Sequence, residues 1–122
     1  MIMRAALVAA SLLPAIAPAA PAARPDAVNG KAVFQKWCAP CHAANPKLAG
    51  TLALQAKYKG AMPAALEQRT DLTPELVGYF VRTGVAWMAP FRKTEISDAE
   101  LADLGAYLSV NRTGVPAKRR GK

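Results

Sequence analysis

An all-α domain is what this chain predicts, and three observations carry it. Apolar residues recur at the three-to-four spacing of an amphipathic helix in several stretches. Two of those stretches open on strong start signals, Thr73-Pro74-Glu75 and Ser97-Asp98-Ala99-Glu100. No alternating or β-branched run that would read as a strand flanks Cys38. The first helix is expected to start within Asp26 to Asn29 and to run to about Ala39, because Val33, Phe34 and Trp37 recur beside the polar Lys31, Gln35 and Lys36. Thr51 to about Tyr58 reads as a short second piece, with Leu52, Leu54 and the alanines on its apolar side and Gly60 as its stop. In the next helix Thr73 can cap, Pro74 has its φ preset, and Glu75 faces the positive end of the dipole. Leu76, Val77, Phe80 and Val81 then form its apolar side, and Gly84 ends it. The last helix carries the capping-box pattern and sets Ile96, Leu101, Leu104 and Leu108 along one face. Gly30 and Phe34 on the first helix are placed to meet Tyr107 on the last, a glycine being what lets two backbones approach closely.

Residues 1–23 have the order of a secretory signal peptide. One early charge, Arg4, precedes an apolar run from Ala5 to Ile16 and then a small-residue segment, with the cut expected between Ala19 and Ala23. The apolar run is interrupted by Pro14 and falls short of the ~20 residues that span a bilayer. Nothing after it reads as transmembrane. Residues 24–112 then form one small domain, and residues 113–122 a basic tail holding Lys118, Arg119, Arg120 and Lys122. The 52% hydrophobic composition overstates the core, since much of it lies in the alanine-rich leader. The formal charge of +8 suits an acidic protein partner. Nucleic acid is disfavoured, because no aromatic residues are interleaved with the cations.

The chemistry concentrates in Cys38-Ala39-Pro40-Cys41-His42. The spacing C-x-x-C-H is the attachment signature of a c-type haem: two thiols add to the two vinyl groups of one porphyrin, and the adjacent imidazole reaches the iron. A structural zinc site wants four ligands, and the chain offers only Cys38, Cys41 and His42. A thioredoxin-like motif belongs beside a βαβ unit and gains nothing from His42. A disulfide three residues apart closes a loop too small to stabilise much. A covalently held porphyrin would also give so short a chain a large apolar plate to pack around.

His42 is the only histidine, so a second protein imidazole on the same iron is excluded within one chain. A methionine thioether is the remaining usual partner. After the leader only Met62 and Met88 remain. Met88 is preferred: it lies 46 residues beyond His42, in a loop bounded by Gly84 and Pro90, whereas Met62 lies only 20 residues beyond it. The carbonyl of Pro46 is expected to accept the imidazole N–H and fix its tautomer. Trp87 is expected in the haem pocket, and Trp37, Tyr58 and Arg92 are further candidates for pocket or propionate contacts.

With Cys38 to His42, the loop around Met88 and the closing Tyr107-Leu108 in view, the chain resembles class I cytochromes c over nearly its whole mature length. That resemblance implies helices packed around one covalently attached haem c, electron transfer as the function, and export to the periplasm. A narrower likeness rests on Thr51 to Tyr58, Glu67 to Pro74 and Phe91 to Ser97, which are similar to the cytochrome subunit of 4-cresol dehydrogenase (hydroxylating) and eugenol hydroxylase flavocytochromes. It implies an FAD-containing dehydrogenase subunit as donor, a copper protein or another cytochrome as acceptor, and no catalysis by this chain itself. The same haem would equally serve a free carrier for another dehydrogenase or a terminal oxidase. A haem-based sensor or small peroxidase would require Met88 not to bind.

Overall fold

A computed structural model describes residues 23–110. The expected signal peptide, apart from Ala23, and the basic tail lie outside the described residues. Five helices follow one another: α1 (Ala27–Trp37), α2 (Ala39–His42), α3 (Ala49–Tyr58), α4 (Pro74–Thr83) and α5 (Asp98–Ser109), with a 3₁₀ turn at Leu66–Gln68 between α3 and α4. The only β-type pairing among the described residues is one bridge between Val85 and Met88. The all-α prediction holds.

Asp26 starts α1 by accepting the Val28 N–H at 2.8 Å, satisfying one of the amides that a helix start leaves orphaned. The helix stops at Trp37 because Pro40 has no N–H to offer the Lys36 carbonyl. Cys38 therefore serves two helices, its N–H closing α1 on Phe34 and its carbonyl opening α2. Thr73 caps α4 through the Leu76 N–H, and Ser97 and Glu100 form a complete capping box on α5.

The core is built by α1, α4 and α5, with α5 packed against both of the others. Phe34, Ile96 and Leu104 have no exposed surface. Each contributes on the order of 1.5–3 kcal/mol by leaving water. Val33, Cys38, Leu72, Val77, Val81 and Leu108 complete the cluster. Gly30 is where α1 meets α5: a Cβ there would lie 2.0 Å from the Asp103 carbonyl oxygen and 2.8 Å from Tyr107 Cβ. The Phe34 and Tyr107 rings sit 5.8 Å apart, as the glycine contact requires. Tyr107 donates its hydroxyl to Glu67, tying α5 to the 3₁₀ turn; burial and that bond push its pKa up to about 12.

The α3 expectation is corrected in two respects. The helix begins at Ala49 rather than Thr51, after an Asx turn in which Asn45 Oδ1 accepts the Lys47 N–H, and its N-cap, Leu48, has no capping side chain to announce the start. Its buried residue is Thr51, while Leu52 is 55% exposed, because α3 packs on α2 rather than laying an apolar face on the core. Lys59, in the left-handed region, and Gly60 end it.

Candidate functional site

The end of α1, the single turn of α2 and the first turn of α3 bring the motif residues together. Cys38 is buried against the core and Cys41 is exposed, and both are free thiols. Burial pushes the Cys38 pKa up to about 11, which keeps its proton on sulfur. The two thiols stand three residues apart on one tight turn, and both are free rather than joined.

His42 closes α2. Its Nδ1 is buried and has no hydrogen-bond partner, and the same burial lowers its pKa, favouring the neutral, ligating imidazole. The Pro46 carbonyl therefore does not accept from it. Pro46 instead follows Asn45 in the turn before α3, and with Ala44, Thr51 and Gln55 it lines a small surface cleft. What the ring does meet is Gly50: a Cβ there would lie 2.5 Å from His42 Cε1 and 2.6 Å from Nδ1. Next to it, the Thr51 hydroxyl donates to the Ala43 carbonyl at 2.8 Å. Gly50 and Thr51 are the two residues here that sequence reasoning missed; a glycine shortly after the motif was the available signal.

Met88 is held by a short turn of its own. Val85 and Met88 exchange N–H···O bonds at 2.9 Å in both directions, around Ala86 in the left-handed region. Gly84, at φ 69°, leaves room for the returning chain, since a Cβ there would lie 2.5 Å from the Met88 carbonyl oxygen and 2.9 Å from Pro90 N. Phe91 N–H bonds the Val81 carbonyl at 2.8 Å, and Arg82 reaches both the Phe91 carbonyl and Asp98. The segment is thus pinned to α4 and α5 at its far end. Met88 packs on the core cluster that also contains Cys38. Met62 does not: it lines a surface cleft with Gln55, Pro63 and Gln68 that contains neither Cys38, His42 nor Met88.

Trp87 is 99% exposed at the tip of the turn, while Met88 beside it packs on the core cluster. Trp37 is the tryptophan that packs inward, edge-on to Phe91 with ring centres 5.7 Å apart, and its Nε1–H is buried without an acceptor. Arg92 is exposed and paired with Glu95. Tyr58 lies under the buried Arg69 guanidinium, 4.8 Å from its ring centre, while Arg69 pairs with Asp71 and holds that carboxyl below its ordinary range.

These residues fit a covalently attached haem. Two unpaired thiols on one turn precede an imidazole seated against a bare glycine, a thioether is pinned against the same core, and a buried indole N–H is left for an acceptor the protein does not supply. Among the described residues no group of three or more His, Cys, Asp or Glu side chains could hold a bare metal ion. No curated protein and no solved structure matches the chain. Residues 25–108 match the family described as cytochrome c oxidase, cbb3-type, subunit III. With most of its length matched, the chain belongs to that family of cytochrome c domains, and it is a class I c-type cytochrome, a haem-binding electron-transfer protein.

Proposed function

We propose that this chain is the periplasmic haem subunit that accepts electrons from the FAD subunit of a 4-alkylphenol-oxidising flavocytochrome, in which Cys38 and Cys41 would form the two thioether bonds to one haem c and His42 and Met88 would hold its iron. The observation that carries the site is the joint placement of the C-x-x-C-H turn and the pinned Met88 on one core. When bound, the haem supplies a one-electron couple between Fe(III) and Fe(II). The chain's own part would be to hold that couple still: Cys38 would anchor it from within the core and Cys41 from the rim, His42 would offer a ring nitrogen, and the Gly84–Phe91 segment would fix the Met88 thioether. With His42 and Met88 both holding the iron no position would be left for a substrate, and catalysis would belong to the partner. Residues 1–23 direct export, with cleavage between Ala19 and Ala23, and no described helix is long and apolar enough to cross a membrane. The acceptor is a copper protein or another cytochrome.

The narrow partner rests on the likeness of Thr51 to Tyr58, Glu67 to Pro74 and Phe91 to Ser97 to the phenol-oxidising flavocytochromes. A second reading, a free carrier exchanging electrons with a terminal oxidase, is favoured by the family's description, which names an oxidase subunit. Titrating the protein, purified with whatever co-elutes, with 4-cresol or eugenol separates them. Reduction of the haem with a flavoprotein present supports the flavocytochrome subunit. A haem that stays oxidised with phenols, yet is reduced by dithionite, sinks it in favour of the carrier.

A further inference from the structure

The C-x-x-C-H turn does not by itself set the rotation of the His42 ring. α2 is one turn long, Nδ1 has no hydrogen-bond partner, and Pro46 does not supply one. Rotation of the imidazole must therefore be set by what it packs against, which is the first turn of α3. Gly50 meets the ring so closely that no side chain fits between them, and its position also lies 2.7 Å, measured from an added Cβ, from the Cys41 carbonyl.

Thr51 holds that contact in place. It is 4% exposed, the one buried residue of α3, and its hydroxyl donates to the Ala43 carbonyl at 2.8 Å with the Cys41 carbonyl at 3.4 Å. Those two carbonyls stand immediately before and after His42 in the chain. The last carbonyls of a helix lack partners within it, so a hydroxyl delivered from the next helix fixes them and with them the residue between. Groups that orient a metal-bound histidine also tune the metal, since ring rotation changes how the imidazole overlaps the iron orbitals.

We infer that Thr51 is a positioning residue: its hydroxyl locks the corner between α2 and α3 so that Gly50 seats the His42 ring in one rotation, and through that rotation it sets the reduction potential of the bound haem. The inference rests on the proposed ligation by His42. It predicts that shape alone is not enough at position 51.

The test uses the full chain exported and loaded with haem, as wild type, Thr51→Val, Thr51→Ser, Gly50→Ala and His42→Ala. The readouts are the haem-methyl proton resonances of the oxidised protein, whose order follows the orientations of the imidazole and the thioether together, the contacts of the His42 ring protons with the haem, which report the imidazole alone, and the reduction potential. Thr51→Val, which keeps the volume and removes the hydroxyl, is expected to reorder the resonances and shift the potential; Thr51→Ser is expected to keep both. Gly50→Ala is expected to move both furthest. A Thr51→Val protein that is less stable but has the wild-type order and potential overturns the inference, because a merely structural role would show that. Should Thr51→Val fail to load, a loaded Gly50→Ala with the wild-type order overturns it equally. His42→Ala is the separate control: an unchanged low-spin spectrum there removes the ligation on which the inference rests, whereas loss of that spectrum with an unmoved Thr51→Val removes the positioning role alone.

Discussion

Replacing Gly84 by alanine is the perturbation that most directly probes how Met88 is held. Gly84 sits at φ 69° and ψ 174°, a region that essentially only glycine enters, where a Cβ costs about 1–3 kcal/mol. The new carbon would also lie 2.5 Å from the Met88 carbonyl oxygen and 2.9 Å from Pro90 N, well inside ordinary van der Waals contact. Both are backbone atoms in a segment pinned through Phe91 N–H to the Val81 carbonyl, so the overlap cannot be relieved by turning a side chain. Overpacking of that kind costs roughly 1–3 kcal/mol, and the two together come to about 2–6 kcal/mol. Gly60 supplies the control within the same molecule. Its φ is 86°, but a Cβ there would have nothing within 4 Å, so Gly60→Ala should carry the conformational cost alone, about 1 kcal/mol. Urea unfolding of the two haem-loaded variants measures the difference, and the thioether-to-iron absorption band of the oxidised protein shows whether the strain reaches Met88. Equal destabilisation of the two variants, with the band intact in Gly84→Ala, would refute the claim that Gly84 is required by the returning Met88 segment.

Other consequences can be checked with the same preparations. Gly30→Ala places a carbon 2.0 Å from the Asp103 carbonyl oxygen and must push α1 from α5; a loss of about 2 kcal/mol or more is expected in urea unfolding despite alanine's better helix propensity, and a neutral outcome contradicts the close crossing. Trp87, 99% exposed, loses no contact with the protein on replacement by Ala, so a loss above about 0.5 kcal/mol in the haem-loaded protein would measure the contact with the haem expected of it, and a smaller loss would contradict that contact. Tyr107, raised from 10.0 to about 12 by burial and its bond to Glu67, gives stability fully present below pH 10 and lost as pH rises towards 12. The stability gap between wild type and Tyr107→Phe should therefore shrink between pH 8 and pH 11, and a gap that widens would reverse the sign of that linkage.

Much of the framework was legible because it is written in local chemistry. Ser97 and Glu100 specify a helix start through bonds within four residues, as do Thr73 and Pro74, and both starts stand where the sequence placed them. The crossing of Gly30 and Phe34 with Tyr107 was readable from residue size alone. The site was harder where tertiary contact overrides pattern. α3 begins on Leu48, which offers no capping oxygen, and buries a threonine while exposing Leu52, because its task is to close on α2. Periodicity ranks leucine above threonine for burial and has no way to register a hydroxyl whose partners lie eight and ten residues back. Pro46 was assigned by nearness to His42 in the chain, but its carbonyl is not bonded to the ring, and Gly50 is the residue that the ring meets.

The central claim is that the thioether pinned against the core, Met88, completes the coordination that His42 begins. The most direct measurement is the thioether-to-iron band of the oxidised, haem-loaded protein as wild type, Met88→Ala and Met62→Ala. The account predicts a band in the wild type that survives Met62→Ala and vanishes in Met88→Ala. A band lost with Met62 and kept without Met88 would contradict it.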